Sequence, residues 1–123
     1  MTDYKLYRVK TAALRDFNLP EKVVAQQVED LGKFVTTDGM EFDQAGNLYL
    51  GDIENSRLVK LSPNQQLTTL VQDPAKLSWP DSYSVSPDGY LYISCSQIQQ
   101  MPRFHNGKKM SKLLYQVLRL KIK

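Results

Sequence analysis

The chain has 123 residues, 41% of them hydrophobic, with sixteen basic and thirteen acidic side chains and a net charge of +3. No apolar run approaches the roughly 18 to 20 residues of a membrane span, and Met1 to Lys10 lacks the apolar core of a signal peptide. Cys95 is the single cysteine, which excludes an internal disulfide and reads as a small packing residue.

Taken in chain order, Leu6-Tyr7-Arg8-Val9 reads as a strand. Val24, Val28 and Leu31 have helical spacing behind Pro20-Glu21, but comparison with a later segment favours a strand over residues 24–28. Next, Met40 and Phe42 alternate with charged residues, a Gln44-Ala45-Gly46-Asn47 turn follows, and Leu48 to Asp52 forms the partner strand. Glu54-Asn55-Ser56 turns the chain into Arg57–Leu61, and Ser62–Gln66 turns it again into Leu67–Val71. A second unit starts at Asp81, with Tyr83 and Val85 directed inward, a Ser86-Pro87-Asp88-Gly89 turn, and a strand over Tyr90–Ser94. After an insertion from Gln97 to Tyr115, a last strand is expected at Gln116–Ile122.

These units echo one another without a gap, forty-three positions apart. Val24 matches Leu67, Asp30 matches Asp73, Asp38 matches Asp81, and Gly46, Leu48 and Tyr49 match Gly89, Leu91 and Tyr92. A period in the forties made of short alternating strands is the mark of an all-β protein built from β-propeller blades. The strands group as the end of one blade with its connection (1–37), a complete four-stranded blade (38–73) and a three-stranded blade with its insertion (81–123). Two repeats cannot close a ring of about four to eight blades. The expectation is therefore a piece of a longer propeller, completed by further blades or associating with itself through exposed blade faces.

Charge is divided unevenly along the chain. Residues 1–102 carry a net −4 and the last twenty-one +7. The positive residues sit partly on the alternating strand, as Arg119, Lys121 and Lys123, which suits an edge strand blunted by charge rather than a nucleic-acid surface.

The sequence resembles the Yellow/major royal jelly protein family of six-bladed propellers. The residues that carry the resemblance are Leu6-Tyr7-Arg8-Val9 with Leu14-Arg15-Asp16, then Asp38-Gly39-Met40, Gly46-Asn47-Leu48-Tyr49, Trp79-Pro80-Asp81-Ser82 and Pro87-Asp88-Gly89-Tyr90-Leu91-Tyr92. The Asp-Gly and Gly-Asn-Leu-Tyr elements are shared with the senescence marker protein/gluconolactonase family, and Gly51 to Leu58 is similar to the repeat of NHL propellers. The resemblance implies a secreted or periplasmic protein that holds a small molecule at the channel mouth, without catalysis. The gluconolactonase likeness implies instead a lactone hydrolase using a divalent cation, calcium or zinc, with Asp38 as one metal ligand. A structural or interaction role is the third reading.

Propeller topology places the candidate ligand-binding residues on one face: Asp38, Asp81, Glu54, Asn55 and the insertion carrying Arg103, His105 and Tyr115. Asp38 and Asp81 begin the innermost strands, where each carboxylate serves either as a hard oxygen ligand or as acceptor for backbone N–H groups of its own turn. Arg103 and His105 suit an anionic ligand, or are plain loop residues. His105 is the single histidine and no nucleophile motif accompanies it, so no catalytic residue is assigned. Trp79 is read as packing between blades. In insect Yellow proteins that bind amines an Asn-Phe pair precedes the late strand; here the pair resembles Leu114-Tyr115, which keeps the aromatic ring and loses the amide.

Overall fold

A computed structural model describes residues 3–112 and 115–123, so Leu114 of the Leu114-Tyr115 pair lies outside the described residues. Nine strands and two one-turn helices follow in the order β1 (Lys5–Arg8), α1 (Thr11–Arg15), α2 (Glu21–Ala25), β2 (Glu29–Lys33), β3 (Met40–Phe42), β4 (Leu48–Asp52), β5 (Arg57–Leu61), β6 (Leu67–Gln72), β7 (Pro80–Val85), β8 (Tyr90–Cys95) and β9 (Val117–Lys121). All strand pairings are antiparallel, in three sheets ordered β1-β2, β3-β4-β5-β6 and β7-β8-β9. The protein is all-β, built of propeller-type blades.

Contacts divide the chain into two compact units, residues 2–34 and 35–123. In the first, β1 pairs with β2 through Tyr7 opposite Asp30 and Arg8 opposite Glu29, and Lys5 bonds Asp30 at 2.7 Å. These ion pairs are exposed and contribute little. The strand expected at residues 24–28 is corrected here: Glu21–Ala25 is helical, Gln27 and Val28 continue in turn hydrogen bonds, and β2 starts at Glu29. Pro20 sets an extended lead-in and Glu21 supplies negative charge to the first turn, so local helix signals prevail where the echo pointed to a strand.

In the second unit two sheets pack on one another. From β4 and β5, Tyr49 and Leu58 meet Leu91 and Ile93 of β8, with Leu77 closing the cluster. Leu118, Leu120 and Ile122 add the inward face of the β9 region, while Val117, Arg119 and Lys121 point outward. Each fully buried aliphatic side chain here contributes on the order of 1.5–3 kcal/mol. Strand β4 is buried along its whole length, whereas β8 alternates.

The inner hairpins repeat with fidelity. Gly46 and Gly89 both have positive φ, +81° and +85°, a conformation that costs glycine nothing and fixes the same turn twice. Gly39, whose counterpart in the second sheet is Ser82, answers a close approach instead. At Gly39 an added Cβ would collide with the carbonyl oxygen of Asp81, so the Asp38-Gly39-Met40 element is partly a packing requirement between β3 and β7.

Candidate functional site

Asp38 lies two residues before β3, and its carboxylate accepts the indole N–H of Trp79 at 2.7 Å. This cross-link joins the starts of two successive inner strands. The bond reaches across to a distant donor, a role for Asp38 besides those the sequence suggests. Trp79 holds φ at +61°, an uncommon backbone state for a bulky residue, and its carbonyl accepts the Ser96 N–H. Asp81 follows two residues later. Burial pushes the Tyr83 hydroxyl well above its ordinary pKa, and the Cys95 thiol, Asp81 and Asp38 add to the shift. Asp38 and Asp81 thus act on one shared hydroxyl, which is itself buried without a hydrogen-bond partner.

Asn55 is committed elsewhere. Its backbone and side-chain N–H groups donate to Asp52, at 3.2 and 2.8 Å, and Arg57 Nε donates to the same carboxylate at 2.7 Å. Asp52 is only 2% exposed. Burial opposes its ionisation, but the hydrogen bonds from Arg57 and Asn55 outweigh it and hold the carboxyl below the usual range. Glu54 is exposed in the same turn. Asp52 was not singled out by sequence; an acid at a strand end followed by Asn and Arg three and five residues on is the signal that marks it.

After β8 the insertion makes two 3-10 turns, Ile98–Gln100 and Pro102–Phe104. His105 Nε2 bonds the Gln99 carbonyl at 2.8 Å, Arg103 stacks on Phe104, and Tyr115 is exposed. Gln97 fastens the far end of the segment, accepting the Lys112 N–H at 3.0 Å. Between this segment and the β6–β7 connection opens a cleft of about 420 Å³. Lys76 and Ser78 line it from the connection, Gln97, Gln100 and Lys112 from the insertion, and Cys95 from β8. Burial, and secondarily Asp81, raise the Cys95 thiol pKa, so at neutral pH the cleft presents a protonated thiol rather than a thiolate.

None of Asp38, Asp81, Glu54, Asn55, Arg103, His105 and Tyr115 lines this cleft. Among the described residues no three His, Cys, Asp or Glu side chains cluster as a metal site. With one Asp38 oxygen accepting from Trp79, the described residues do not fit a calcium or zinc centre, and no chemistry is derived through one.

The antiparallel blades, the repeated inner hairpin and the insertion over the second sheet define a propeller-type chain. The family model for major royal jelly protein matches residues 1–123, and the chain belongs to that family. Among curated proteins, none matches it. No helix among the described residues is long and apolar enough to cross a membrane.

Proposed function

We propose that the chain is a non-catalytic scaffold of a secreted propeller that holds a small molecule in the cleft between the β6–β7 connection and residues 97–112. The cleft itself carries this reading. Its walls are built, since Gln97 grips Lys112 through both backbone groups and the Met110 N–H donates to the Gln100 carbonyl at 3.0 Å. A preformed hollow with apolar surface and a few polar groups is what small ligands bind. Asp38, the residue that the hydrolase alternative would use, is occupied in joining two strands.

Trp79, the single tryptophan, adjoins Ser78 of the cleft and serves as a built-in reporter. Titration with small aromatic acids, amines and lactones is expected to change its fluorescence and raise the melting temperature for at least one class, with no lactone turnover in calcium or zinc. Absence of any stabilisation would remove the binding function, and turnover would remove the word non-catalytic.

A further inference from the structure

We infer that the cleft selects ligands bearing an anionic group, a carboxylate or a phosphate monoester, on a small apolar body; this rests on the reading of the cleft as a ligand site. Two lysines line it, Lys76 from the β6–β7 connection and Lys112 from the insertion, and no described lining residue carries a carboxylate. Lys76 has a partner in Asp73, but at 3.8 Å, and the lysine side chain is 67% exposed. So loose a pair yields readily to a better acceptor. Lys112 makes no ion pair among the described residues, and Gln97 fixes its backbone so that the side chain starts from a set position.

Acidic groups lie nearby as well, Asp73 beside Lys76 and Asp81 within electrostatic reach of Cys95, but neither lines the cleft. A lining with two lysines and no carboxylate favours anions over amines. Pro74 and Met110 supply apolar wall for the body of the ligand.

Polar groups beside the cleft are incompletely satisfied. Gln99 Nε2 donates to Ser78 Oγ at 2.7 Å, which leaves the Ser78 hydroxyl proton available to another acceptor. Gln99 Oε1 and Ser96 Oγ are buried with no partner. Both residues adjoin lining residues in sequence without lining the cleft themselves; Ser96 Oγ can donate to an anion, whereas Gln99 Oε1 only accepts and is not satisfied by one. An oxyanion accepting from the Ser78 hydroxyl and the two lysines matches the donors of the lining.

Three probes of one shape separate charge from shape: 1-naphthyl phosphate or 1-naphthoate, neutral 1-naphthol, and cationic 1-naphthylmethylamine. Trp79 fluorescence reports affinity, and protection of Cys95 from slow alkylation by excess iodoacetamide, followed to completion in the ligand-free protein by mass spectrometry, reports location. The expected result is that an anion binds at least about tenfold more tightly than the naphthol and protects Cys95. Lys76→Gln and Lys112→Gln should each weaken the anion about fivefold, leave the naphthol unchanged and flatten the salt dependence. If naphthol protects Cys95 as well as either anion does, and the lysine variants change nothing, the charge selectivity is wrong while the cleft remains a binding site. If no probe binds or protects Cys95, both the selectivity and the scaffold reading fall. Unchanged circular dichroism of the two surface variants keeps these outcomes distinct from unfolding.

Discussion

The four-stranded sheet β3–β6 and the three-stranded sheet β7–β9 share an inner hairpin and diverge beyond it. In the first, short turns follow β4, and the third strand pairs residue by residue from Leu48–Leu61 to Asp52–Arg57. In the second, β8 runs into residues 96–116 before β9 returns to the same edge. The column that ends the second strand shows what the divergence does. In β4 it holds Asp52, neutralised by Arg57; in β8 it holds Cys95, facing the cleft. One blade uses that position to lock a turn, and the other leaves it open to a hollow.

The harshest break of this comparison is at Gly39. Gly39→Ala puts a methyl group onto the Asp81 carbonyl, backbone that moves only if β3 and β7 separate, and should cost about 3 kcal/mol. Ser82, in the same column of the second sheet, is exposed, and Ser82→Ala should stay within about 0.5 kcal/mol. Urea unfolding of the pair measures the contrast. Equal midpoints would mean that the glycine is not a packing requirement.

Next comes the buried carboxylate. Asp52→Asn leaves the Arg57 guanidinium without its counter-charge and should cost about 2 kcal/mol at neutral pH. The folded-state pKa of Asp52 is depressed, so its contribution is complete above the ordinary carboxylate pKa and is lost as pH falls through the depressed value. Melting curves from pH 7 downward should therefore show the wild type losing its advantage over the variant in acid. A gap that persists unchanged into strong acid would assign the effect to shape rather than charge.

How much of this is readable beforehand depends on whether a feature is local and periodic. The inner hairpins are readable because the left-handed glycines at 46 and 89 and the alternating strand residues each answer a requirement within a few positions. Residues 21–28 mislead for the opposite reason. The column logic moved a strand pattern from Leu67–Val71 onto a segment whose proline, acidic first turn and helical spacing specify a helix, and β2 forms five residues later. The Asp38–Trp79 bond joins residues forty-one apart by a contact that no spacing rule encodes. Least readable is the cleft, since Lys76, Cys95 and Lys112 come from a connection, a strand and an insertion with no counterpart in the first blade. The candidates chosen by topology, from Asp38 to Tyr115, share an expected face but do not line that hollow.

The finest contrast is within a matched column. Tyr49 and Tyr92 both donate their hydroxyls to an aspartate of the preceding turn, to Asp43 at 3.1 Å and to Asp88 at 2.8 Å, although those aspartates occupy different turn positions. Tyr49 is 3% exposed whereas Tyr92 is half-buried. Burial, followed by the hydrogen bond to Asp43 and its charge, pushes the Tyr49 hydroxyl up to about 12. Its contribution to stability is thus intact below the ordinary tyrosine pKa and disappears as pH rises through that higher value. Tyr49→Phe should cost about 1 kcal/mol, measured as a urea midpoint at pH 7. Tyr92→Phe, whose partner Asp88 is solvated, should cost less. Ultraviolet titration of the wild type should show, besides the buried Tyr83, a second phenol ionising late that is lost in Tyr49→Phe and retained in Tyr92→Phe. If the late phenol disappeared with Tyr92 instead, the second sheet and not the first would hold the tighter hairpin, and the contrast between the blades would reverse.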